Sequence, residues 1–272
     1  MTWTSDVPPP QGAIRLYAWP RVIWRATALG VLIVVGLGIK LLLRGVERPL
    51  FGLRRPMSPR ITQAVCRMTL KVLQLPLHVQ GQPMLQRGAV VANHASWLDI
   101  FVLNAADRVF FVSKAEVADW PGIGVLARAT GTVFIRRDRR DAPQQKLLFE
   151  ARLRAGHRLL FFPEGTSSDS RRVLPFKSTL FAAFFAPELR DILHIQPVSV
   201  TYHAPDGTDP RFYGWWGDMD FAGHLLRILA QRDQGRVNLV FHAPIAVADI
   251  ADRKAMTLSC ETAVRAGFDP RA

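Results

Sequence analysis

The feature that most limits what this chain can become is an apolar run near its start. Residues 26–43 read ATALGVLIVVGLGIKLLL, and only Lys40 interrupts the run. A helix rises about 1.5 Å per residue, so this run is nearly long enough to cross a hydrocarbon core of about 30 Å. It predicts a membrane-anchoring helix, either spanning or re-entrant. The alternative is a buried helix of a soluble domain.

The residues around this run favour a membrane. Trp19 and Trp24 lie where interfacial aromatic side chains are common. Six arginines within residues 44–67 follow the run. They predict that the bulk of the protein lies on the cytoplasmic face of the membrane, and they offer an electrostatic hold on anionic lipid. Three arginines within residues 15–25 precede the run, so a hairpin that dips into the membrane stays open.

The composition of the chain changes at about residue 75. Residues 1–74 hold a loose leader, the anchoring helix and an amphipathic helix over 57–73. Residues 75–272 form the second predicted domain, in which short β-rich runs alternate with helical stretches. This alternation predicts an α/β fold, a mixed sheet covered by helices. The predicted strands are LHVQG, AVVAN, VFFVS, TVFI, RLLFFP, IQPVSVTY and VNLVFHAP, and the predicted helices are 97–106, 115–128, 141–155, 178–186, 221–231 and 252–265.

The chain is strongly basic. Lys and Arg number 35 against 22 Asp and Glu, which gives a formal net charge of +13. This excess predicts an anionic partner, which the charge alone leaves open among nucleic acid, an acidic membrane surface and an acidic substrate. Cys66 and Cys260 form no CxxC pair and belong to no His/Cys cluster at zinc spacing. We therefore expect neither a disulfide framework nor a structural zinc.

A polar turn after one predicted strand is the first candidate for chemistry. The stretch GAVVANHASWLD ends a buried strand at Asn93 and His94 and places Asp99 in the first turn of the next helix. A carboxylate that accepts one ring N–H fixes the histidine tautomer and leaves the other nitrogen to take a proton from a hydroxyl. This is a serine-hydrolase triad without its nucleophile, a role that the substrate's own hydroxyl can fill. The alternative is a helix-start aspartate beside a hydrogen-bonded loop histidine.

Two further stretches end a strand on a proline-containing turn. In FFPEGTSS, residues 161–168, Glu164 projects from a break in the strand and can accept a substrate hydroxyl. An ordinary turn with a solvated glutamate has the same pattern. In IQPVSV, residues 195–200, Pro197 indicates an edge strand or a bulge, with a packing role.

Basic residues end two more predicted strands. GTVFIRR, residues 131–137, ends on Arg136 and Arg137, and FFVSK ends on Lys114. Arginine in such a place can bind phosphate or carboxylate through two parallel hydrogen bonds. Simple solvation of a strand end gives the same pattern.

Together these stretches resemble the glycerolipid acyltransferase family, whose bacterial type is the 1-acylglycerol-3-phosphate acyltransferase. The family's blocks run in order as Asn-His-x-Ser-x-x-Asp, Gly-x-x-Phe-Ile-x-Arg, Phe-Pro-Glu-Gly-Thr and Pro-Val. Here they read NHASWLD, GTVFIRR, FPEGTSS and QPVSV, within roughly residues 75–245.

The resemblance implies a reaction and its residues. His94, oriented by Asp99, is the general base that deprotonates the free hydroxyl of a lyso-lipid. That oxygen attacks the thioester of acyl carrier protein or coenzyme A without an acyl-enzyme. Backbone N–H groups after His94, helped by Lys114, hold the oxyanion. No metal or bound cofactor is needed, and an acidic acyl carrier protein suits a basic docking face. The acceptor's head group would be held by Arg136, Glu164, Gly165, Thr166 and Ser167.

One departure from the family pattern concerns the acceptor. Members that act on phosphate acceptors commonly have arginine after Glu-Gly-Thr, where this chain has Ser167. Serine supplies neither the charge nor the fork geometry that a phosphate favours. The run EGTSSD…VLPFKS is more similar to the branch that acylates lyso-ornithine lipid, an amino-acid lipid without phosphate. Lysophosphatidic acid, or both acceptors, is the alternative.

Three other classes of protein fit parts of the sequence. A hydrolase would use His94 and Asp99 with water as the nucleophile. A nucleic-acid-binding protein would explain the charge, but the chain has no recognition-helix or RNP-type pattern, so we expect no nucleic-acid partner. A non-catalytic membrane scaffold predicts that His94→Ala changes nothing.

Overall fold

The computed structural model of the chain describes residues 3–9, 12, 14–136 and 142–271. Its helices are α1 (Trp19–Phe51), α2 (Ser58–Leu73), α3 (Asp99–Ala106), α4 (Ile123–Thr130), α5 (Ala142–Arg154), α6 (Pro187–Arg190), α7 (Phe221–Ala230) and α8 (Arg253–Gly267). Its strands are β1 (Leu77–Gln80), β2 (Gly88–Ala92), β3 (Phe110–Lys114), β4 (Val133–Ile135), β5 (Leu159–Phe161), β6 (His194–His203), β7 (Arg236–Phe241) and β8 (Ile245–Ala246). The predicted amphipathic helix over 57–73 is present as α2.

The strands form one mixed sheet in the order β1-β7-β6-β2-β5-β3-β4, with the short β8 also paired to β6. β6 is antiparallel to β7 and β8, whereas the other neighbouring strands are parallel. Helices cover both faces of the sheet. The predicted α/β class, a mixed sheet covered by helices, is confirmed.

The position of β2 in the sheet explains why this strand is wholly apolar. All five of its residues are buried, because β2 lies between β6 and β5 in the middle of the sheet. Val90 and Ala92 face an apolar cluster that includes residues of α2, α3 and α7. Ala89 and Val91 face a second cluster that includes residues of α5 and α8. The strand therefore holds the turn that follows it at a fixed place in the sheet.

β6 is an internal strand, so the prediction that Pro197 lies in an edge strand is wrong. One side of β6 pairs with β2, while the partner on its other side changes from β8 to β7 beside Pro197. The carbonyl of Pro197 accepts the N–H of His242 at 3.0 Å at this junction. The backbone N and C=O of a strand residue point to the same side of the strand. The nitrogen of Pro197, which carries no hydrogen, therefore also faces the junction, where the loss of a donor interrupts neither strand pairing.

Two predicted helices are shorter or tighter than their sequence indicated. The segment predicted over 115–128 is a 3-10 turn, Ala115–Asp119, followed by α4, with Gly122 at φ +71° between them. The segment predicted over 178–186 is a 3-10 helix, Leu180–Phe185. Arg137 and the first residue of the helix predicted over 141–155 lie outside the described residues.

The apolar helix α1 contacts the rest of the protein at its start, middle and end. Near its start, Arg25 donates to the carbonyl of Leu229 at the end of α7 at 3.0 Å. In the middle, Lys40 donates to the hydroxyl of Thr62 on α2. Near its end, Glu47 accepts the N–H of the first residue of α2 at 2.9 Å. These three charged side chains are buried on the protein-facing side of the helix.

The opposite side of α1 is apolar and open. The apolar segment Leu16–Phe51 has a mean hydropathy of 2.3, with only 11% of its most apolar window buried. A core helix of a soluble protein would be mostly buried, so this exposed apolar surface indicates association with a membrane. The side includes Val31, Val34, Val35, Ile39, Leu42, Val46 and Leu50.

Candidate active site

Four of the predicted polar positions lie at one edge of the sheet. β2, β5, β3 and β4 are parallel neighbours in that order, so their carboxyl ends point to the same edge. His94 follows β2, Glu164 follows β5, Lys114 ends β3 and Arg136 follows β4. Ligands of open α/β sheets bind at this edge.

His94 and Asp99 are in direct contact. Nδ1 of His94 lies 2.7 Å from Oδ2 of Asp99. Asp99 is the first residue of α3, and its Oδ2 also accepts the backbone N–H groups of Ala95 and Ser96 at 2.9 and 3.1 Å. These short-range bonds fold the turn after β2 back onto the ring. They also occupy the amides that were expected to hold the oxyanion, so the amides of Ala95 and Ser96 point to Asp99 instead.

Tyr202 completes the surroundings of Asp99. Its hydroxyl donates to Oδ1 of Asp99 at 2.7 Å, and both side chains are almost wholly buried. Burial, followed by the charge of Asp99, raises the pKa of Tyr202 well above its usual range, so the hydroxyl keeps its proton. Sequence reasoning missed this residue. It lies on β6, 103 positions from Asp99, and nothing in its local pattern distinguishes it from a core tyrosine.

The His94 ring is held on a second side by an aromatic face. It stacks on Phe162 with 4.0 Å between ring centroids and an interplanar angle of 8°. The side chain is 20% exposed, and no described residue is hydrogen-bonded to its Nε2. An N–H on Nδ1 that donates to Asp99 leaves Nε2 as the basic nitrogen.

Glu164 is buried beside the dyad. Its Oε1 accepts the backbone N–H of His94 at 3.3 Å, while Oε2 is buried without a hydrogen-bond partner. Burial raises the pKa of Glu164 well above its usual range, and the charge of Asp99 acts in the same direction. The carboxyl group is therefore shielded from solvent beside the dyad, and its 1% exposure excludes the solvated-turn interpretation of Glu164.

The turn after Glu164 is tied to the turn after His94. Gly165 adopts φ +73°, which a glycine tolerates without strain. The backbone N–H of Ser168 donates to the carbonyl of His94 at 3.0 Å. The hydroxyl of Ser167 donates to the carbonyl of Trp215 at 2.5 Å, and Trp215 donates in turn to the carbonyl of Ala95 at 2.9 Å. The hydroxyl of Ser167 thus has a partner within the protein.

The N-terminal leader reaches the same turn. The backbone N–H of Trp3 donates to the hydroxyl of Thr166 at 3.3 Å. The ring centroids of Trp3 and Trp216 are 6.4 Å apart. The guanidinium carbon of Arg172 lies 5.1 Å from the ring centroid of Trp3. The leader, expected to be loose, therefore contacts the candidate site at Thr166.

The two basic positions lie farther along the edge. Neighbouring strands are about 4.8 Å apart, and β3 and β4 are two and three strands away from β2. The backbone of Lys114 therefore lies about 10 Å, and that of Arg136 about 14 Å, from the end of β2 across the sheet. Lys114 is partly buried, and Arg136 is exposed. The structure therefore brings together His94, Asp99, Glu164 and the turn of Gly165, Thr166 and Ser167. It leaves Lys114 and Arg136 at the rim.

Other groups were considered for the chemistry. Burial raises the pKa of Cys66 to about 12 and that of Cys260 to about 12, so neither thiol is a ready nucleophile. Within the described residues, no group of three or more His, Cys, Asp or Glu side chains is placed to hold a metal ion.

The chain is similar to a protein of known family over nearly its whole length. It is 54% identical to the lyso-ornithine lipid O-acyltransferase of Rhodobacter capsulatus over 270 residues, which cover 99% of this chain and 98% of that protein. This chain belongs to the acyltransferase family. The family's acyltransferase model matches residues 76–201, which contain the four motif blocks.

Two further members of the family are similar over different extents. The 1-acyl-sn-glycerol-3-phosphate acyltransferase of Neisseria gonorrhoeae is 44% identical over 94 residues, 34% of this chain and 36% of that protein. The crystal structure of the 1-acyl-sn-glycerophosphate acyltransferase from Thermotoga maritima superposes with a TM-score of 0.64. The two chains are 19% identical, and the superposition covers 94% of this chain and 96% of the Thermotoga maritima chain. The two proteins therefore have the same fold.

Proposed function

We propose that this acyltransferase moves a fatty acyl chain from acyl carrier protein to the free hydroxyl of lyso-ornithine lipid in membrane lipid synthesis. The observation that carries the proposal is the 2.7 Å contact between Nδ1 of His94 and Asp99, in a site where no described side chain is hydrogen-bonded to the ring as a nucleophile would be. Ser96 is the nearest serine in the chain, but it is fully buried and its hydroxyl is not bonded to His94. The near full-length similarity to a protein named for lyso-ornithine lipid supports the choice of acceptor.

In the proposed reaction Nε2 of His94 takes the proton of the acceptor hydroxyl as its oxygen attacks the thioester carbonyl carbon. Asp99, held by Tyr202 and two amides, stabilises the imidazolium that forms. The tetrahedral intermediate collapses with cleavage of the C–S bond. The leaving thiolate takes the proton back from His94, so the products are an ester and a free thiol.

We place the acceptor's polar group at the turn after β5. Oε2 of Glu164 is buried next to the backbone of His94 and has no hydrogen-bond partner among the described residues, which supports a hydrogen bond with the acceptor. Gly165, Thr166 and Ser167 would complete the contact. Lys114 stays our proposal for the oxyanion, because the amides of Ala95 and Ser96 are already bonded to Asp99.

The alternative acceptor is lysophosphatidic acid. Arg136 is exposed at the carboxyl end of β4, where a phosphate could reach it, and the Neisseria gonorrhoeae relative named for a phosphate acceptor is 44% identical over 94 residues. The hydroxyl of Ser167, by contrast, is directed to a backbone carbonyl and brings no positive charge to the turn. This favours an acceptor without phosphate. Coenzyme A is the alternative donor.

We further propose that residues 1–74 form the membrane-anchoring part and residues 75–272 the acyltransferase domain, on the cytoplasmic face of the inner membrane. The helix α1 is bonded to the rest of the protein along its length, through Arg25, Lys40 and Glu47. A helix that crossed the bilayer would have to leave the domain, so this packing favours an anchor that enters only one leaflet.

The test is an acyl transfer assay with the full chain in detergent. Acyl carrier protein or coenzyme A carrying a labelled thioester would be offered with lyso-ornithine lipid or lysophosphatidic acid, each supplied separately. We expect transfer to lyso-ornithine lipid that His94→Ala abolishes. Release of free fatty acid without an acceptor would indicate a hydrolase instead, and retained transfer in His94→Ala would remove the proposed base.

A further inference from the structure

Two arginines from different parts of the chain meet on one aromatic ring. Arg55 lies in the turn between α1 and α2, and Arg152 lies on α5. Their guanidinium carbons are 5.7 and 5.0 Å from the ring centroid of Phe110. Both also reach Gly131. Arg152 donates to its carbonyl, and a Cβ on Gly131 would lie 2.5 Å from Nη1 of Arg55. The two guanidinium groups are therefore neighbours, and we call them the arginine pair.

The arginine pair has buried donors without acceptors. Nε and Nη1 of Arg55 and Nε of Arg152 are buried and make no hydrogen bond to any described residue. Arg152 is only 7% exposed. Burial, followed by the positive charges of Arg55 and Arg44, lowers the pKa of Arg152 to about 10. Buried polar groups are almost always paired, so three unmet donors on adjacent cations point to an anion.

The described acidic group near the pair does not satisfy it. Oε1 of Glu47 accepts the backbone N–H groups of Met57 and Ser58 at 2.6 and 2.9 Å. Its Oε2 lies 3.5 Å from Arg44. Oε2 has no hydrogen-bond partner among the described residues, and the charge of Glu47 also acts on Arg55. One carboxylate therefore faces three arginines, Arg44, Arg55 and Arg152, which leaves the arginine pair with a net positive charge.

The position of the pair identifies what can reach it. Phe110 begins β3 and Gly131 precedes β4, so the pair lies at the amino edge of the sheet, opposite the edge that holds His94. The end of α1 exposes Leu50 and Phe51, at 68% and 50%, and the turn that follows it exposes Leu53, at 50%. Such side chains suit the lipid interface, and a membrane that covers them would bring its head groups next to the pair.

The same edge carries more positive charge. A groove of about 510 Å³ on the outer face of α2 is lined by Arg60, Arg67, Lys71 and Arg108, and Arg108 is two residues from Phe110. Basic clusters next to a membrane-associated helix attract anionic lipid.

We propose that Arg55 and Arg152 bind the phosphate group of an anionic membrane lipid at the turn between α1 and α2. Two adjacent guanidinium forks match phosphate oxygens through parallel, charge-assisted hydrogen bonds. The bound phosphate satisfies the buried donors and relieves the repulsion between the cations. The site lies apart from the proposed acyl-transfer site and does not depend on it.

The test uses the full chain in a neutral detergent, with three monomeric probes: dihexanoyl phosphatidylglycerol, dihexanoyl phosphatidylcholine and inorganic phosphate. The readout is the melting temperature against probe concentration for wild type, Arg55→Gln, Arg152→Gln and Arg154→Gln. Arg154 is the matched control, since it is exposed on the same helix as Arg152 and its side chain makes no hydrogen bond to another described residue.

We expect phosphatidylglycerol to raise the melting temperature of wild type and Arg154→Gln, with apparent affinity at least about tenfold weaker in the two pair variants. Without any anion, Arg55→Gln should melt higher than wild type, because it removes one of two neighbouring cations that repel each other. A merely structural arginine would give the opposite sign. If Arg152→Gln does not fold, the half-buried Arg55 decides the question by itself.

Other outcomes would overturn the proposal. Equal affinity for phosphatidylglycerol in all four proteins would remove the arginine pair as the site. An equal response to phosphatidylcholine would show that net negative charge is not recognised, and an equal response to inorganic phosphate would remove the lipid as the source. If the pair variants bind phosphatidylglycerol normally and instead raise KM for the acyl donor, the phosphate belongs to the donor.

Discussion

The hydroxyl of Tyr202 and the ring of His94 bind different oxygens of the same carboxylate, that of Asp99, each at 2.7 Å. Asp99 is wholly buried, so both oxygens depend on these donors and on the amides of Ala95 and Ser96. The carboxylate is held in one orientation, and through it the imidazole is too. Tyr202 is therefore a positioning residue for the proposed base, whereas His94 is the group that would touch the substrate.

Tyr202→Phe should lower kcat while keeping the aromatic core. The change leaves Oδ1 of Asp99 buried without its donor, so we expect a fall in kcat of about 10- to 100-fold, equivalent to ~1.4–2.8 kcal/mol. The matched control is Tyr213→Phe. Tyr213 is equally buried, packs 5.4 Å from Tyr202, and donates to Gln234 instead of the site. Steady-state kinetics with both variants checks this, and an equal loss in both would mean a general packing effect.

Asp99→Asn should cost more than the loss of a single hydrogen bond. An amide in place of the carboxylate can present an N–H to Nδ1, which selects the wrong tautomer and leaves the imidazolium without its counter-charge. The comparable change in a serine-protease triad costs about 10⁴-fold in kcat, and we expect a loss of similar order. Circular dichroism would confirm that the fold is intact. Activity near that of wild type would refute the dyad.

Glu164→Gln should flatten the pH dependence of stability. The pKa of Glu164 is raised by burial in the folded protein above its ordinary value of 4.5. Between these two values the folded state binds more protons than the unfolded state, so the free energy of unfolding falls as pH rises. The contribution is fully present below about pH 4.5 and is lost as pH rises toward the folded pKa. Glutamine mimics the neutral carboxyl and removes this slope, which denaturant titrations from pH 4 to 8 would measure. An unchanged slope would mean that Glu164 is ionised throughout.

Ser167→Arg should shift use of the acceptor toward lysophosphatidic acid. The new guanidinium would add positive charge to the turn that follows Glu164, with the fork geometry that a phosphate favours. Ser167 is 7% exposed and bonded to Trp215, so the variant should also lose stability. Ser167→Ala removes the same hydrogen bond without adding charge and serves as the control. The ratio of kcat/KM for the two acceptors is the measurement. A ratio unchanged in both variants would place phosphate recognition elsewhere.

Leu42→Asp should weaken binding of the chain to lipid vesicles. Leu42 is 75% exposed on the apolar side of α1, where a carboxylate would have to enter the hydrocarbon layer. Leu258→Asp is the control, since Leu258 is 66% exposed on α8 at the surface of the domain. Flotation with phospholipid vesicles should show a smaller bound fraction for Leu42→Asp only. Equal binding by both variants would mean that α1 does not contact the bilayer.

The sequence by itself determined the parts of the site that are local. The apolar run of β2 predicts a buried strand, and the five-residue spacing of His94 and Asp99 lets the first turn of α3 return its carboxylate to the ring. The amphipathic pattern of α2 follows from helical periodicity, and the apolar surface of α1 follows from the length of its apolar run. These features involve residues within about one turn of each other, so chain connectivity alone places them.

Tertiary structure decided what distant segments contribute. Tyr202 comes to Asp99 because β6 lies beside β2, and Phe162 comes to His94 because β5 lies on the other side. Pro197 sits in an internal strand because its neighbour changes there from β8 to β7, which no local pattern shows. Arg55 and Arg152 are 97 positions apart, and each by itself resembles a solvated surface arginine. Their meeting on Phe110 depends on how the turn after α1 packs against α5. Such contacts follow from the order of strands and the packing of layers, which a local pattern of residues does not specify.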